Sequence, residues 1–169
     1  YTEECQFEQK DVLIGEELFT DSSEKAEGEI LDGSGCYAIP GLTDIHFHGC
    51  VGYDFCDGTE EAIQAIADYE ASVGVTTIVP ATMTFGEDKL LKIAEAAREH
   101  RNGQGAILCG IHMEGPFISM EKKGAQNGAY IHRPDVELFE RLQKASGGLF
   151  KIVDLAPEEE GAMEFIRQE

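Results

Sequence analysis

Residues 39–49 read IPGLTDIHFHG, an apolar stretch that carries two histidines and ends at a glycine. We predict a β-strand over residues 39–48. Because side chains alternate between the two faces of a strand, Asp44, His46 and His48 then share one face. Neutral imidazole is the commonest protein ligand for zinc and similar divalent ions. A pair of buried, hydrogen-bonded histidines is the alternative, but their position at a strand end favours half of a metal site.

Strands and helices alternate along the chain from residue 39 onward. Hydrophobic periodicity predicts strands over residues 39–48, 75–80, 106–114 and 150–156, and helices over residues 59–73, 87–100 and 134–145, with a last helix from Pro157. Thr59 is the predicted N-cap of the first helix. Alternation of this kind is typical of parallel strands joined by right-handed crossovers, so the predicted fold class is α/β with about four βα units.

These units are compatible with two folds, a small doubly wound sheet and half of a (β/α)8 TIM-type barrel. In barrel enzymes the reactive groups lie at the carboxyl ends of the strands, which is where His46, His48 and Glu114 fall in this sequence. A dinucleotide-binding fold would carry a glycine-rich phosphate loop after a strand, and this sequence has none. Both features favour the barrel.

The first 38 residues differ from the rest of the chain. Short apolar runs at residues 12–14 and 17–19 and a polar turn at residues 21–23 predict small β-strands and turns. We therefore predict two domains, over residues 1–38 and 39–169.

Charge and composition exclude several classes of partner. The chain has 169 residues, with 33 acidic and 13 basic side chains, and a formal net charge of -20. Such a surface repels phosphate backbones and anionic lipids, so we expect no nucleic acid or membrane partner. No apolar run reaches the roughly 20 residues that a membrane helix needs. The odd number of cysteines, without a C-x-x-C pair, argues against a disulfide framework and favours a reduced, cytoplasmic setting.

A second motif, H-M-E-G-P-F at residues 112–117, places a carboxylate at the end of a predicted strand. Glycine and proline turn the chain directly after Glu114. A carboxylate held among apolar neighbours is costly unless a cation balances its charge, and a metal ion is a natural partner at this position. A glutamate that caps the following loop, or that pairs with Lys122 or Lys123, is the alternative.

Together these motifs resemble the amidohydrolase superfamily and, within it, the family of N-acetylglucosamine-6-phosphate deacetylases. The resemblance is carried by P-G-L-T-D-I-H-F-H-G, H-M-E-G-P-F, K-G-A at residues 123–125 and L-A-P-E at residues 155–158, in this order. It implies that residues 39–169 are the first half of a metal-dependent amidohydrolase barrel. It also implies that residues 1–38 are part of the small β-sandwich domain that precedes the barrel in the family.

The resemblance implies hydrolysis of the acetamide of N-acetylglucosamine 6-phosphate to acetate and glucosamine 6-phosphate. Glu114 matches the carboxylate metal ligand of the family, and His46 and His48 match an H-x-H position that some members replace with amides. The cofactor is then one or two divalent ions, and zinc, iron, manganese and cobalt all accept such ligands. Ala125 matches a sugar-contacting position, whereas the usual K-G-A-H reads K-G-A-Q here, with Gln126 in place of histidine.

The resemblance also implies functional residues that this chain does not contain. In the family the catalytic aspartate follows the last barrel strand, and two more metal-binding histidines and the phosphate contacts also lie downstream, so we expect them beyond residue 169. We therefore expect a catalytically incomplete part of an enzyme whose full-length form is a homodimer. Asp44 and Asp154 are strand residues to which we assign a structural or supporting role.

Two other functions compete with this interpretation. A dihydroorotase-like or adenine deaminase-like hydrolase would share P-G-x-x-D-x-H-x-H but typically lacks H-x-E-G-P-F, so Glu114-Gly115-Pro116 discriminates against it. A non-catalytic metal-binding or interaction module would keep the ligands without the rest of an active site. Metal stoichiometry and turnover separate these possibilities.

Overall fold

The chain divides into two compact units, residues 1–40 and 41–169. The computed structural model describes residues 4–15, 18–20 and 28–168. The turn predicted at residues 21–23, and the first residue of the run predicted at residues 17–19, lie outside the described residues. Each unit is considered by itself below.

Among the described residues of the first unit, two short strands, β1 (Ile14–Gly15) and β2 (Leu18–Phe19), pair antiparallel. The rings of Phe7 and Tyr37 pack edge to face, with their centroids 4.7 Å apart. Two strands of two residues each do not define a sandwich, which needs two packed sheets. The β-sandwich assignment therefore stays a prediction.

The second unit alternates strands and helices, as predicted. Its strands are β3 (Leu42–Asp44), β4 (Gly49–Cys50), β5 (Tyr53–Asp54), β6 (Val75–Ile78), β7 (Ile107–Leu108), β8 (Ile111–Glu114) and β9 (Phe150–Asp154). Its α-helices are α1 (Glu60–Ser72), α2 (Glu87–Glu99), α3 (Val136–Ser146) and α4 (Ala162–Gln168), and two 3-10 helices span Phe55–Asp57 and Gly128–Tyr130. The predicted α/β class is confirmed.

The parallel strands are arranged in the order of the chain. β3 pairs with β6, β6 pairs with β7, and β8 pairs with β9, all in parallel. A parallel bridge between Ala81 and His112 connects the two sheets. The N–H of His112 donates to Pro80 O at 2.9 Å, whereas the N–H of Ile111 donates to Leu149 O at 2.7 Å. The segment that contains β7 and β8 thus hydrogen-bonds to the segment around β6 on one side and to the segment of β9 on the other.

The first predicted strand was too long, because β3 ends at Asp44 rather than at residue 48. The carboxylate Oδ1 of Asp44 accepts a hydrogen bond from the N–H of His46 at 3.0 Å. Aspartate that bonds the backbone two residues further on offers it an alternative to the sheet ladder. His46 and His48 consequently lie on the loop that follows β3, before the β4–β5 hairpin.

The helices agree closely with the predictions. Three predicted helices are confirmed as α1, α2 and α3, and the Thr59 hydroxyl caps α1 by accepting from the N–H of Ala62 at 3.3 Å, as predicted. The last helix begins at Ala162 instead of Pro157. Among the residues that the structure describes, no helix is both long and apolar enough to cross a membrane.

A single apolar core supports the carboxyl ends of the strands in the second unit. Its largest fully buried apolar side chains come from the first 3-10 helix, from all three long helices, from the parallel strands and from the loop after β8: Phe55, Ile63, Ile66, Ile78, Leu90, Ile93, Ile111, Met113, Phe117 and Leu142. Met113 lies directly before Glu114, so the burial of its side chain fixes the end of β8.

We expect Asp135→Ala to lower the free energy of unfolding by about 1 kcal/mol, the usual cost of losing an N-cap. Asp135 is the N-cap of α3, and its Oδ1 accepts from the N–H of Leu138 at 3.0 Å. Urea denaturation measures the change. Glu140→Ala, at an exposed position of the same helix, is the control. Equal stability of the two variants would show that the cap contributes nothing.

Candidate metal centre

Three side chains converge at the carboxyl ends of the parallel strands. His46 and His48 come from the loop after β3, and Glu114 is the last residue of β8. Glu114 Oε2 lies 3.4 Å from His46 Nε2 and 3.1 Å from His48 Nε2. The ligand atoms of the three residues all lie within 4.8 Å of one another. The structure thus brings together the three residues predicted as metal ligands, and this group could bind a metal ion.

The state of Glu114 Oε2 provides a test of whether a metal ion fits this group. This oxygen is buried and has no hydrogen-bond partner in the described part of the structure, although two imidazole nitrogens lie close to it. Ring nitrogens that lie close to a carboxylate oxygen without hydrogen bonding to it are expected when the nitrogens and the oxygen all direct lone pairs at the same ion. Tetrahedral zinc at its usual ligand distances separates neighbouring ligand atoms by about 3.3 Å, close to both observed separations. The donor set therefore fits a divalent ion.

The second ring nitrogen of His48 determines which tautomer is present. His48 Nδ1 lies 3.3 Å from the carbonyl oxygen of Ala81. A carbonyl oxygen only accepts, so Nδ1 carries the proton and Nε2 presents its lone pair towards Glu114. Metal-ligating histidines commonly donate their other N–H to a carbonyl in this way. His48 is thus oriented for ligation through Nε2.

A buried histidine, His112, lies behind His46. His112 Nδ1 lies 3.3 Å from His46 Nδ1 and 2.9 Å from Ile45 O, and His112 Nε2 lies 2.9 Å from Asp154 Oδ1. These contacts connect β9, β8 and the loop after β3 through one ring. Asp154 thus contacts His112, whose alternation with Glu114 along β8 is the sequence feature that points to it, and the supporting role of Asp154 stays a prediction.

The other oxygen of Glu114 contacts an amide side chain. Gln126 Nε2 donates to Glu114 Oε1 at 2.6 Å, and Gln126 Oε1 accepts from the N–H of Thr84 at 2.7 Å. Gly115 follows the carboxylate with a φ of 77°, and a Cβ at this position would overlap Thr84 Oγ1. Only glycine therefore allows the chain to turn here against the segment that contains Thr84.

Cys50 lies two residues after His48 and is half-buried. Burial raises the pKa of Cys50, and the charge of Glu70 together with a hydrogen bond to its carboxylate raises it further. Burial likewise raises the pKa of Glu70, with a smaller contribution from Asp44. Because the thiolate is the form that binds metals, the raised pKa disfavours this thiol as a ligand.

The alternative to a metal ion, a lysine partner for Glu114, is not found among the described residues. Lys123 Nζ donates to the carbonyl oxygens of Gly124, at 3.4 Å, and Gln126, at 2.9 Å. Lys122 is exposed, and within the described residues neither lysine forms an ion pair with Glu114. Ala125 is exposed beside the buried Gln126, so its assignment as a sugar contact stays a prediction.

Parallel strands alternate with helices in this α/β fold, and at the strand ends a His-x-His pair and a glutamate form a group that could bind a metal ion. No family model matches the chain. It is 39% identical over 134 residues to N-acetylglucosamine-6-phosphate deacetylase of Bacillus subtilis (strain 168), covering 76% of this chain and 34% of the relative. It is 32% identical over 132 residues to N-acetylgalactosamine-6-phosphate deacetylase of Escherichia coli O157:H7, with coverages of 76% and 34%.

A solved structure agrees with these matches. A variant of the N-acetyl-D-glucosamine-6-phosphate deacetylase of Mycobacterium smegmatis, in complex with N-acetyl-D-glucosamine-6-phosphate, superposes with a TM-score of 0.71 at 33% identity. The superposition covers 77% of this chain and 34% of that chain. The chain spans about a third of the length of the curated relatives it matches. The predicted resemblance to N-acetylglucosamine-6-phosphate deacetylases is confirmed for that third.

Proposed function

We propose that this protein is a metal-dependent hydrolase that converts N-acetylglucosamine 6-phosphate to glucosamine 6-phosphate and acetate in amino-sugar catabolism. One observation carries the proposal: Glu114 Oε2 is buried without a hydrogen-bond partner beside the Nε2 atoms of His46 and His48. An oxygen in this state is costly unless a cation balances it. The names of the relatives supply the substrate class.

The proposed fold is the first half of a (β/α)8 TIM-type barrel of about four βα units over residues 39–169, preceded by part of a small β-sandwich over residues 1–38. Strands arranged in chain order support a barrel, because a doubly wound sheet reverses its strand order. Leu42 on β3 and Ile107 on β7 support it too, because these apolar side chains are 56% and 52% exposed. A closed barrel would bury such side chains.

In the proposed mechanism, His46, His48 and Glu114 hold a divalent ion, which is zinc, iron, manganese or cobalt. The chemistry supplied by such an ion is polarisation of an amide carbonyl and activation of water near neutral pH. Glu114 contributes the negative charge that binds the cation. The site is open to a substrate, since the side chains of His46 and His48 are 47% and 34% exposed. Elemental analysis of the purified protein distinguishes one bound ion from two.

Further parts of the proposal rest on the resemblance. Ala125 contacts the sugar, and activity requires more of the polypeptide than these 169 residues, including a catalytic aspartate and two further histidines. The full-length enzyme is a homodimer in a reducing, cytoplasmic setting. The small anionic substrate is compatible with the acidic surface, because distant charges are screened by salt. The dihydroorotase-like and adenine deaminase-like alternatives are not favoured, since the reported matches are deacetylases.

N-acetylgalactosamine 6-phosphate is a second candidate substrate. A deacetylase of this epimer is 32% identical to the chain, close to the 33% found for the Mycobacterium smegmatis enzyme. The group that the proposed reaction hydrolyses is the acetamide, which the two sugars share. Discrimination between the epimers therefore depends on residues that contact the sugar hydroxyls.

A chimera tests the proposed function. The aligned third of the Bacillus subtilis deacetylase is replaced by the corresponding residues of this chain, and acetate release is measured with each sugar phosphate. We expect acetate release that a chelator abolishes and added metal restores. The matched control is the same chimera with Glu114→Gln. A folded chimera that binds metal but releases no acetate from either sugar would contradict the proposed activity.

A further inference from the structure

Gln126 lies beside the metal centre, and neither the motifs nor the resemblance provides a role for it. Its side chain is buried, with 5% of its surface exposed. One amide atom lies 2.7 Å from the N–H of Thr84 and the other lies 2.6 Å from Glu114 Oε1. A backbone N–H requires an acceptor, so the atom near Thr84 is the amide oxygen and the atom near Glu114 is the NH₂ donor.

In this orientation of the amide, the two oxygens of Glu114 have different surroundings. Oε1 accepts a hydrogen bond from Gln126, whereas Oε2 has no hydrogen-bond partner in the described part of the chain. Hydrogen bonds to an ionised carboxylate are short and strong, so the carboxylate plane is held in one orientation. The remaining lone pairs of Oε2 lie beside the Nε2 atoms of the two histidines.

Gln126 is itself held at its side chain and at its backbone. The N–H of Thr84 donates to its amide oxygen at 2.7 Å, and its backbone oxygen accepts from Lys123 Nζ at 2.9 Å. Its NH₂ group has one further neighbour, Met83 Sδ at 3.5 Å, which is a weak acceptor. Gln126 therefore connects the backbone of Thr84 to Glu114 Oε1 by two hydrogen bonds.

We propose that Gln126 is a positioning residue that makes Glu114 a one-oxygen metal ligand, occupying Oε1 and directing Oε2 to the ion. The inference rests on the proposed metal site and deepens it. It gives the glutamine a role at the carboxylate that does not require contact with substrate. Partners of this kind, behind a ligand, typically contribute about 10- to 100-fold to metal affinity.

Zinc titration of the purified protein tests the inference. Gln126→Met keeps the size of the side chain and removes the donor, and it should weaken zinc binding about 10- to 100-fold. Gln126→His keeps a ring N–H and should recover part of that loss. The matched control is Gln143→Met, because Gln143 forms a similar double bridge to the backbone of Phe150, at 2.8 and 3.1 Å, but touches no proposed ligand. This control should bind zinc as the unchanged protein does.

The outcomes separate this inference from the proposed function. Unchanged protein that binds no zinc overturns both, whereas tight binding by the unchanged protein and by Gln126→Met alike overturns the inference alone. Hydrogen exchange of side-chain amides in the zinc-loaded, unchanged protein provides a test that needs no variant. The NH₂ group of Gln126 should exchange much more slowly than that of Gln104, which is exposed. Equally fast exchange would show that the bond to Glu114 does not persist.

Discussion

Replacing Glu114 with glutamine is expected to reduce the zinc affinity of the protein by more than about 100-fold, beyond the usual effect of removing a residue behind a ligand. Glutamine has the same shape, and its amide oxygen can still accept the hydrogen bond from Gln126. It lacks the negative charge that binds the cation, and its NH₂ group would face the nitrogens of His46 and His48. The fold should therefore persist while the ion is lost.

Isothermal titration with zinc measures this effect. The control is Glu121→Gln, which removes the same charge from an exposed position in the loop that follows β8. If both variants bind zinc as tightly as the unchanged protein, Glu114 is not a ligand. Its buried oxygen would then need another explanation.

The largest expected effect on stability comes from Phe117→Ala, which should lower the free energy of unfolding by about 3–5 kcal/mol. Phe117 is fully buried, and its ring packs edge to face on Phe165 and His132 with centroid distances of 5.2 and 5.4 Å. Its carbonyl oxygen accepts from the N–H of Ala156 at 2.9 Å. Truncation would leave a cavity directly behind the loop that follows Glu114.

Urea denaturation at several temperatures measures this cost. Tyr69→Ala is the control, because Tyr69 lies in the same unit and is 41% exposed. It should destabilise the protein much less. A loss of stability for Phe117→Ala no larger than for the control would show that the core relaxes around the deletion. Phe117 would then not anchor the loop.

The helices could be predicted well because their signals are local. Thr59 starts α1, and apolar residues such as Ile63 and Ile66 repeat at helical spacing on its buried side. The strands were harder to delimit. Asp44 ends β3 by bonding the backbone of His46, which is a local competition that an apolar alternation pattern does not reveal.

The convergence of His46, His48 and Glu114 could be predicted because strand ends in a parallel α/β fold gather at one edge. Their position after apolar runs predicts this grouping, and the structure brings them together. The bond between Gln126 and Glu114 could not be predicted, because it depends on how a loop folds back over Thr84. The His112–Asp154 contact also needs the register of β8 against β9, which pairs Glu114 with Asp154.

Ion binding between His46, His48 and Glu114 is tested most directly by anomalous diffraction from crystals of the zinc-loaded protein, recorded at the zinc edge. We expect a peak about 2.0–2.2 Å from His46 Nε2, His48 Nε2 and Glu114 Oε2. Full zinc occupancy at other residues, with no peak among these three side chains, would contradict it.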